Sequence, residues 1–350
     1  MALRGRRLHP LSGACHSEEP PSLKSRGIIL KQSALDLSAK PATPLPETQP
    51  GNQSSGAEAS ALAPSVAWCI PSAIAGLLSG ILLSLVYYVW RHSPFGLRFR
   101  LLAAMRKKRI YIVYQPLVEM ASGNMVGVEA LARWTHDGLG PISPETFLKW
   151  AEAAGVGRRL TRYIVRNALA GVSHLLREDQ NFYISINVTP RDVEDLSFSS
   201  YLLGVVKEFD IPTGQVVLEV TESLEFLIDE PRALLSHYRR AGFRVFIDDF
   251  GAGYANLNNL LNWEVDGIKL DSTLVRFINA NIWAGAILDS VFAMTRRLNI
   301  RVLVEGIETQ AQALYVLQHA PEAIGQGWLF GRPCAPSLLP EITIAREFAS

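Results

Sequence analysis

A chain of 350 residues has room for one large domain or two ordinary ones, and a net charge of +1 excludes a globally basic nucleic-acid binder, so no DNA partner is expected. Cys15, Cys69 and Cys334 stand far apart and odd in number, which excludes a disulfide framework and a zinc knuckle. The seven histidines form no His-x-x-x-His pair, so any metal here would be held by oxygen.

Residues 1–60 are rich in Ser, Pro, Ala and Gly and have no sustained apolar periodicity. Such a stretch buries too little surface to offset its ordering entropy, and disorder is expected. Arg4, Arg6 and Arg7 resemble the start of a signal peptide, but no apolar stretch follows them, so no cleaved signal is expected. From Val66 to Trp90 the chain carries no charge and is dominated by Leu, Ile, Ala, Val and aromatics. At about 1.5 Å per residue that length spans a hydrocarbon core of about 30 Å. Trp68 at one end, and Tyr87, Tyr88 and Trp90 at the other, suit the two interfaces. A single transmembrane helix is expected over 61–90, with Pro71 near its first turn, where proline is tolerated. The soluble alternative is a buried core helix. Arg91, Arg98, Arg100, Arg106, Lys107, Lys108 and Arg109 follow the span, whereas Pro41 to Val66 holds no Lys or Arg. This asymmetry places the C-terminal part in the cytoplasm. Residues 91–103 form a basic connector, read either as a partly helical link or as a segment touching anionic lipid.

From 104 to 346, β-type and helical patterns alternate. Strands are expected at Tyr111–Val118, Met125–Ala132, Phe182–Val188, Val216–Val220, Arg244–Ile247, Gly267–Leu270, Arg301–Val304 and Ala323–Gln326. Helical patterns lie between many of them: Ser143–Ala153, Arg159–Leu176, Ser199–Phe209, Pro231–Ala241, Asn281–Leu298 and Gln310–His319. The class is α/β, and about eight strands in this length is the scale of a closed TIM-type barrel. A doubly wound sheet is the alternative, but no strand leads into Gly-x-Gly-x-x-Gly and no P-loop is present.

Nearly every strand ends near a polar residue. Glu129 lies in Val-Glu-Ala-Leu-Ala-Arg-Trp, Asn187 ends Ile-Ser-Ile-Asn, and Glu219 ends Val-Val-Leu-Glu with Glu222 three residues on. Asp248 and Asp249 follow, then Lys269, then Glu305 with Glu308, and finally Gln326. Singly, each reads as a solvated or capping residue. In a parallel barrel, however, these ends converge on the rim where active sites sit. Asp248 and Asp249 end an apolar run, so strand alternation would make them diverge, and Gly251 and Gly253 free the backbone that follows. Adjacent carboxylates repel unless a proton or cation lies between them.

Tyr114-Gln-Pro-Leu and Gly127-Val-Glu-Ala-Leu-Ala-Arg-Trp134 resemble the signature of EAL domains, the cyclic di-GMP phosphodiesterases. The similarity continues through Asn187, Leu218-Glu-Val-Thr-Glu222, Asp248-Asp-Phe-Gly-Ala-Gly-Tyr254, Ile268-Lys-Leu-Asp271, Val304-Glu-Gly-Ile-Glu308 and Gln326-Gly-Trp-Leu-Phe330. The resemblance implies a TIM-type (βα)8 barrel with one strand reversed, the EAL fold. It implies that Glu129, Asn187, Glu219 and Asp248 bind one divalent cation, and that Asp248, Asp249 and Glu305 bind a second. All-oxygen ligation suits Mg²⁺ or Mn²⁺. By the same resemblance Lys269, Glu305 and Gln326 serve the chemistry, Gln115, Leu131 and Arg133 hold the substrate, and Glu222 and Glu308 support the loops. The implied reaction opens one phosphodiester of cyclic di-GMP to give linear pGpG, in a homodimer anchored in the bacterial inner membrane.

There are departures from the pattern. Ala255-Asn256 replaces the family's common Ser-Ser, and Trp134-Thr-His136-Asp137-Gly138 replaces Trp-x-His-Pro in what reads as a peripheral loop. A span before an EAL domain resembles the membrane sensor type that carries a Cys-Ser-Ser motif, but that motif is absent, as is any Gly-Gly-Asp-Glu-Phe cyclase signature. Two other functions compete with hydrolysis of cyclic di-GMP. One is a silent cyclic di-GMP receptor or interaction module, and the other a barrel glycosidase that needs no metal.

Overall fold

Nine strands were found among the described residues, which are 63–221, 231–251, 263–278 and 282–341 of a computed structural model. The disorder expected for residues 1–60, and the roles expected of Glu222, Gly253, Tyr254, Ala255 and Asn256, fall outside those residues. The strands are β1 (Ile110–Glu119), β2 (Met125–His136), β3 (Gly140–Ile142), β4 (Tyr183–Val188), β5 (Val216–Thr221), β6 (Arg244–Phe250), β7 (Gly267–Leu270), β8 (Arg301–Val304) and β9 (Ile324–Gly325). Their order is β1-β9-β8-β7-β6-β5-β4-β2-β3, and pairing of β1 with β2 closes eight of them into a barrel. β1 runs antiparallel to both its neighbours, while β2 and β4 to β9 run parallel. The reversal has a local cause: a few residues join β1 to β2, which suffices for an antiparallel pair, whereas parallel neighbours need a long crossover.

Period-two alternation sorts each strand into two faces. Outward residues such as Val128, Ala130, Ile184, Leu218 and Ile268 pack beneath the helices in the main core. Inward residues build layers. Leu117, Tyr183, Val217, Phe246, Leu303 and Ile324 form an apolar floor across the barrel. The floor has no room to spare: a Cβ on Gly127 would meet the Tyr183 carbonyl oxygen at 2.6 Å, and one on Gly267 the Phe246 ring at 2.7 Å. Above it, the next inward residues are Gln115, Glu129, Ser185, Glu219, Asp248 and Lys269. An apolar plug therefore supports a polar layer and closes its lower side to water.

Helices cover the outside at Pro144–Ala153, Gly157–Glu178, Leu196–Glu208, Pro231–Arg240, Ile282–Leu298 and Gln310–His319, close to the expected spans. β1 is fixed against Gly157–Glu178, where the Tyr114 hydroxyl donates to the Ala168 carbonyl at 2.9 Å. A Cβ on Gly171 would lie 2.1 Å from that hydroxyl.

Two expectations need correction and one is extended. The connector expected over 91–103 as a partly helical link is helical from Pro94, because Ser93 caps a helix at Pro94–Arg106 by accepting from the Gly96 amide. That helix buries Leu101, Ala104 and Met105 with Trp134 and Phe147 in a second core, so it belongs to the barrel's packing. β2 runs four residues further than expected and forms β3 by hairpin, the departure at Thr135–Gly138 lying at its end. Finally, Pro71 lies inside the helix Ala63–His92, not in its first turn, since the helix begins eight positions earlier. Within that helix Pro71–Val89 is long and apolar enough to cross a membrane, judged by length and composition.

Candidate active site

The polar layer is organised around one ammonium. Lys269 on β7 is 1 % exposed, and its Nζ lies 2.7 Å from Glu305, 2.9 Å from Glu219, 3.1 Å from Asp248 and 3.4 Å from Glu129. Strand register accounts for the convergence: Glu129 pairs with Ser185, Asn187 with Glu219, and Thr221 with Asp248, so successive strands offer their acids at one level. The second partners are also ordered. Asn187 donates to Glu129 Oε1 at 2.7 Å, Gln326 donates to Glu129 Oε2 at 2.7 Å and to Gln115 at 3.1 Å, and Ser185 donates to Glu219. Gln115 donates in turn to the Gly331 carbonyl at 3.2 Å.

Burial would strip Lys269 of its proton, but four carboxylates outweigh it and hold the pKa well above the ordinary value. For Glu129, burial opposes ionisation, yet Lys269 and the amides of Gln326 and Asn187 win and lower its pKa. For Glu219 burial wins, reinforced by Glu129 and Asp248, and its pKa rises well above the usual range. Burial also pushes Glu305 up to about 7. One ammonium thus fails to compensate four acids, and burial pushes two of them, Glu219 and Glu305, toward their protonated forms.

That deficit is what a cation would relieve. Among the described residues no three acids or histidines stand together as a ready-made ion cage. Four acids turn to the ammonium instead, which occupies the position of positive charge. The donor set nevertheless fits hard cations, being all oxygen, heavily anionic and dry beneath. Gln326 Oε1 is buried with no hydrogen-bond partner, an acceptor left over in the same layer.

Asp248 and Asp249 do not diverge as alternation predicts. Asp249 takes a left-handed backbone, φ +56°, and the pairing of β6 with β7 shifts register between Ile247 and Phe250. Such an irregularity re-aims a side chain. Both acids consequently line one cavity of about 380 Å³, and the Asp249 amide donates to Asp248 Oδ1 at 3.0 Å. Gln115, Glu129, Leu131, Lys269, Glu305, Glu308 and Gln326 line it too. Glu219 is fully buried beneath, and exposed Asn187 reaches the site through Glu129. Arg133, on the inward face of β2, is half-buried outside the lining and donates to the Ala132 carbonyl at 2.9 Å. Burial lowers its pKa from the usual guanidinium value.

Sequence reasoning missed Trp328 and Ser272 as lining residues. Trp328 is 55 % exposed at the rim, with the Arg332 guanidinium 4.0 Å from its ring centroid. An aromatic two positions past Gln326 was the available signal. Ser272 carries no polar pattern of its own and enters only because Gly306 packs against its Cβ.

The EAL domain family matches residues 99–333. Among curated proteins the chain is 32 % identical over 234 residues to the "Probable cyclic di-GMP phosphodiesterase PdeB" of Escherichia coli K12, covering 67 % of this chain and 44 % of that one. It is 32 % identical over 223 residues to the "Cyclic di-GMP phosphodiesterase RocR" of Pseudomonas aeruginosa, covering 63 % and 56 %. The chain thus spans only about half the length of these relatives. A solved "PaMucR Phosphodiesterase, c-di-GMP complex" is similar with TM-score 0.63 and 27 % identity, covering 70 % of this chain and 99 % of that one. A Klebsiella pneumoniae BlrP1 calcium/cy-diGMP complex gives TM-score 0.58 and 31 % identity, over 65 % and 56 %. With its closed barrel, reversed β1 and acid-lined mouth, the chain belongs to the EAL-domain family.

Proposed function

We propose that the chain hydrolyses cyclic di-GMP to linear 5'-pGpG and so lowers the level of that nucleotide. The observation that carries this reading is the convergence of Glu129, Glu219, Asp248 and Glu305 on Lys269 at the mouth of an EAL barrel. Relatives bearing the phosphodiesterase name support it, as does the cyclic di-GMP in two similar structures. Glu129, Asn187, Glu219 and Asp248 would hold one cation, and Asp248, Asp249 and Glu305 a second, with Mg²⁺ or Mn²⁺ the ions that suit the donors. Such cations supply Lewis acidity and an acidified water.

The chain's own groups do the rest. Lys269 keeps its proton and offsets phosphate charge, while Glu305, titrating near neutrality without metal, can hold or release a proton at Oε1. Gln326 and Gln115 form a linked pair of amides that fixes Glu129 and presents polar atoms to the cavity. Leu131 supplies an apolar wall, and Arg133, two positions further along β2, is assigned a phosphate oxygen by resemblance. Glu308 lines the cavity in a supporting position, and Glu222 is assigned its loop-holding role by resemblance alone. The span over 71–89 would anchor the domain on the cytoplasmic side of the inner membrane, with the EAL domain forming the homodimer contact.

The test is incubation of the full chain with cyclic di-GMP and Mn²⁺, with pGpG followed by chromatography. Turnover is expected, lost with EDTA, restored with Mg²⁺ and absent in Glu129→Ala. Binding without product would instead support a silent receptor, and activity surviving chelator a metal-free hydrolase.

A further inference from the structure

The cavity at the mouth of the barrel is rich in oxygen atoms and poor in surfaces for a flat ring. Apart from its glycines, only Leu131 and Trp328 bring apolar groups to the lining, and of the two Trp328 is the aromatic one. A volume of about 380 Å³ is too small to enclose a whole cyclic dinucleotide, so a bound base must lie at the rim. Trp328 stands there, 55 % exposed, while Gln326 and Phe330 on either side of it in sequence are buried.

The backbone builds in that exposure. The Ile307 amide donates to the Gln326 carbonyl at 3.0 Å, the Leu329 amide to the Ile307 carbonyl at 3.1 Å, and the Phe330 and Gly331 amides both to the Gly327 carbonyl at 3.1 Å. A Cβ on Gly327 would lie 2.0 Å from the Ile307 carbonyl oxygen, so the turn is pressed against its neighbour. The side chain is backed as well, by the Arg332 guanidinium 4.0 Å from the ring centroid. Arg332 does not line the cavity, so it leaves the cavity side of the indole uncovered. An indole fixed in this way loses little freedom when a base stacks on it. We infer that Trp328 is a base-stacking platform: one guanine of cyclic di-GMP lies against the cavity side of the indole, Arg332 backs the other side, and the adjoining phosphate enters the acid-lined cavity. The inference rests on the cavity being a cyclic di-GMP site, and it adds the residue that holds a base there.

The test titrates the full chain in detergent with cyclic di-GMP by calorimetry, in Ca²⁺, the ion of the Klebsiella pneumoniae complex. Trp328→Ala is expected to raise Kd roughly tenfold or more, Trp328→Phe to recover most of the loss, and Arg332→Ala to raise Kd about threefold by freeing the ring. Indole fluorescence supplies a readout that a structural role would not move. Cyclic di-GMP is expected to quench the wild type and to quench Trp328→Phe much less. Unchanged affinity in Trp328→Ala, or equal quenching in Trp328→Phe, would overturn the platform. Product formation with Mn²⁺ is followed separately by chromatography. Binding that depends on Trp328 without pGpG would support the platform and count against hydrolysis, whereas a wild type that binds no cyclic di-GMP would overturn both.

Discussion

Lys269 has more carboxylates around it than one charge can balance, and this sets the residue-scale behaviour of the site. Removing the ammonium would leave four clustered acids uncompensated. Lys269→Met is therefore expected to cost about 3–5 kcal/mol of stability in EDTA, most of it recovered with Mg²⁺, as read by thermal unfolding of the full chain in detergent. Unchanged metal-free stability would refute the charge balance derived for the layer. Glu305 gives a pH signature with a definite sign. Its pKa, about 7 in the fold against 4.5 for an ordinary glutamate, means the native state binds the extra proton between those values. Metal-free stability should then fall as pH rises from about 4.5 to 7 and level off above. Divalent cations should displace the proton, so metal affinity should climb across the same window, and Glu305→Gln should flatten both curves. The acids themselves were legible in the sequence, since Glu219, Asp248 and Glu305 each end an apolar run and Glu129 lies within one. Their common target was not, because the inward aim of Lys269 depends on which strands become neighbours.

At the scale of elements, backbone conformation decides where those acids point. Asp249 shows this most clearly: alternation along β6 sends it away from Asp248, and only the left-handed φ and register shift bring it back to the same cavity. No residue pattern announces that shift, although the glycine-rich stretch after it hints at unusual backbone. Glu305 depends on a similar turn. Gly306 has φ +70°, and a Cβ there would lie 2.5 Å from the Ser272 Cβ and 3.1 Å from its Cα. Gly306→Ala is expected to lose about 1–3 kcal/mol and to lower turnover by misplacing Glu305. An alanine variant with wild-type melting temperature and activity would show that the turn is tolerant. From its position after the span and its arginines, the segment 91–103 reads as a basic, partly helical connector. Its burial became apparent only through Trp134, whose ring meets Phe147 at 6.1 Å and Trp150 at 6.0 Å.

For the whole molecule, the layered barrel explains why a strongly acidic centre is tolerated at all. The apolar floor of Tyr183, Val217, Phe246 and Leu303 closes the barrel from within, and the acids sit one residue pair above it at the open end. Strand alternation and the order of polar strand ends made that arrangement readable before any coordinates, whereas the hairpin to β3 left too short a pattern to notice. These acids are proposed to hold two cations. Manganese bound per full chain, counted by electron paramagnetic resonance during titration, tests that proposal most directly. Two Mn²⁺ per chain are expected, falling to one or none in Asp248→Asn, which removes the acid shared by both proposed sites. Failure to retain Mn²⁺, or two ions still held by Asp248→Asn, would contradict it.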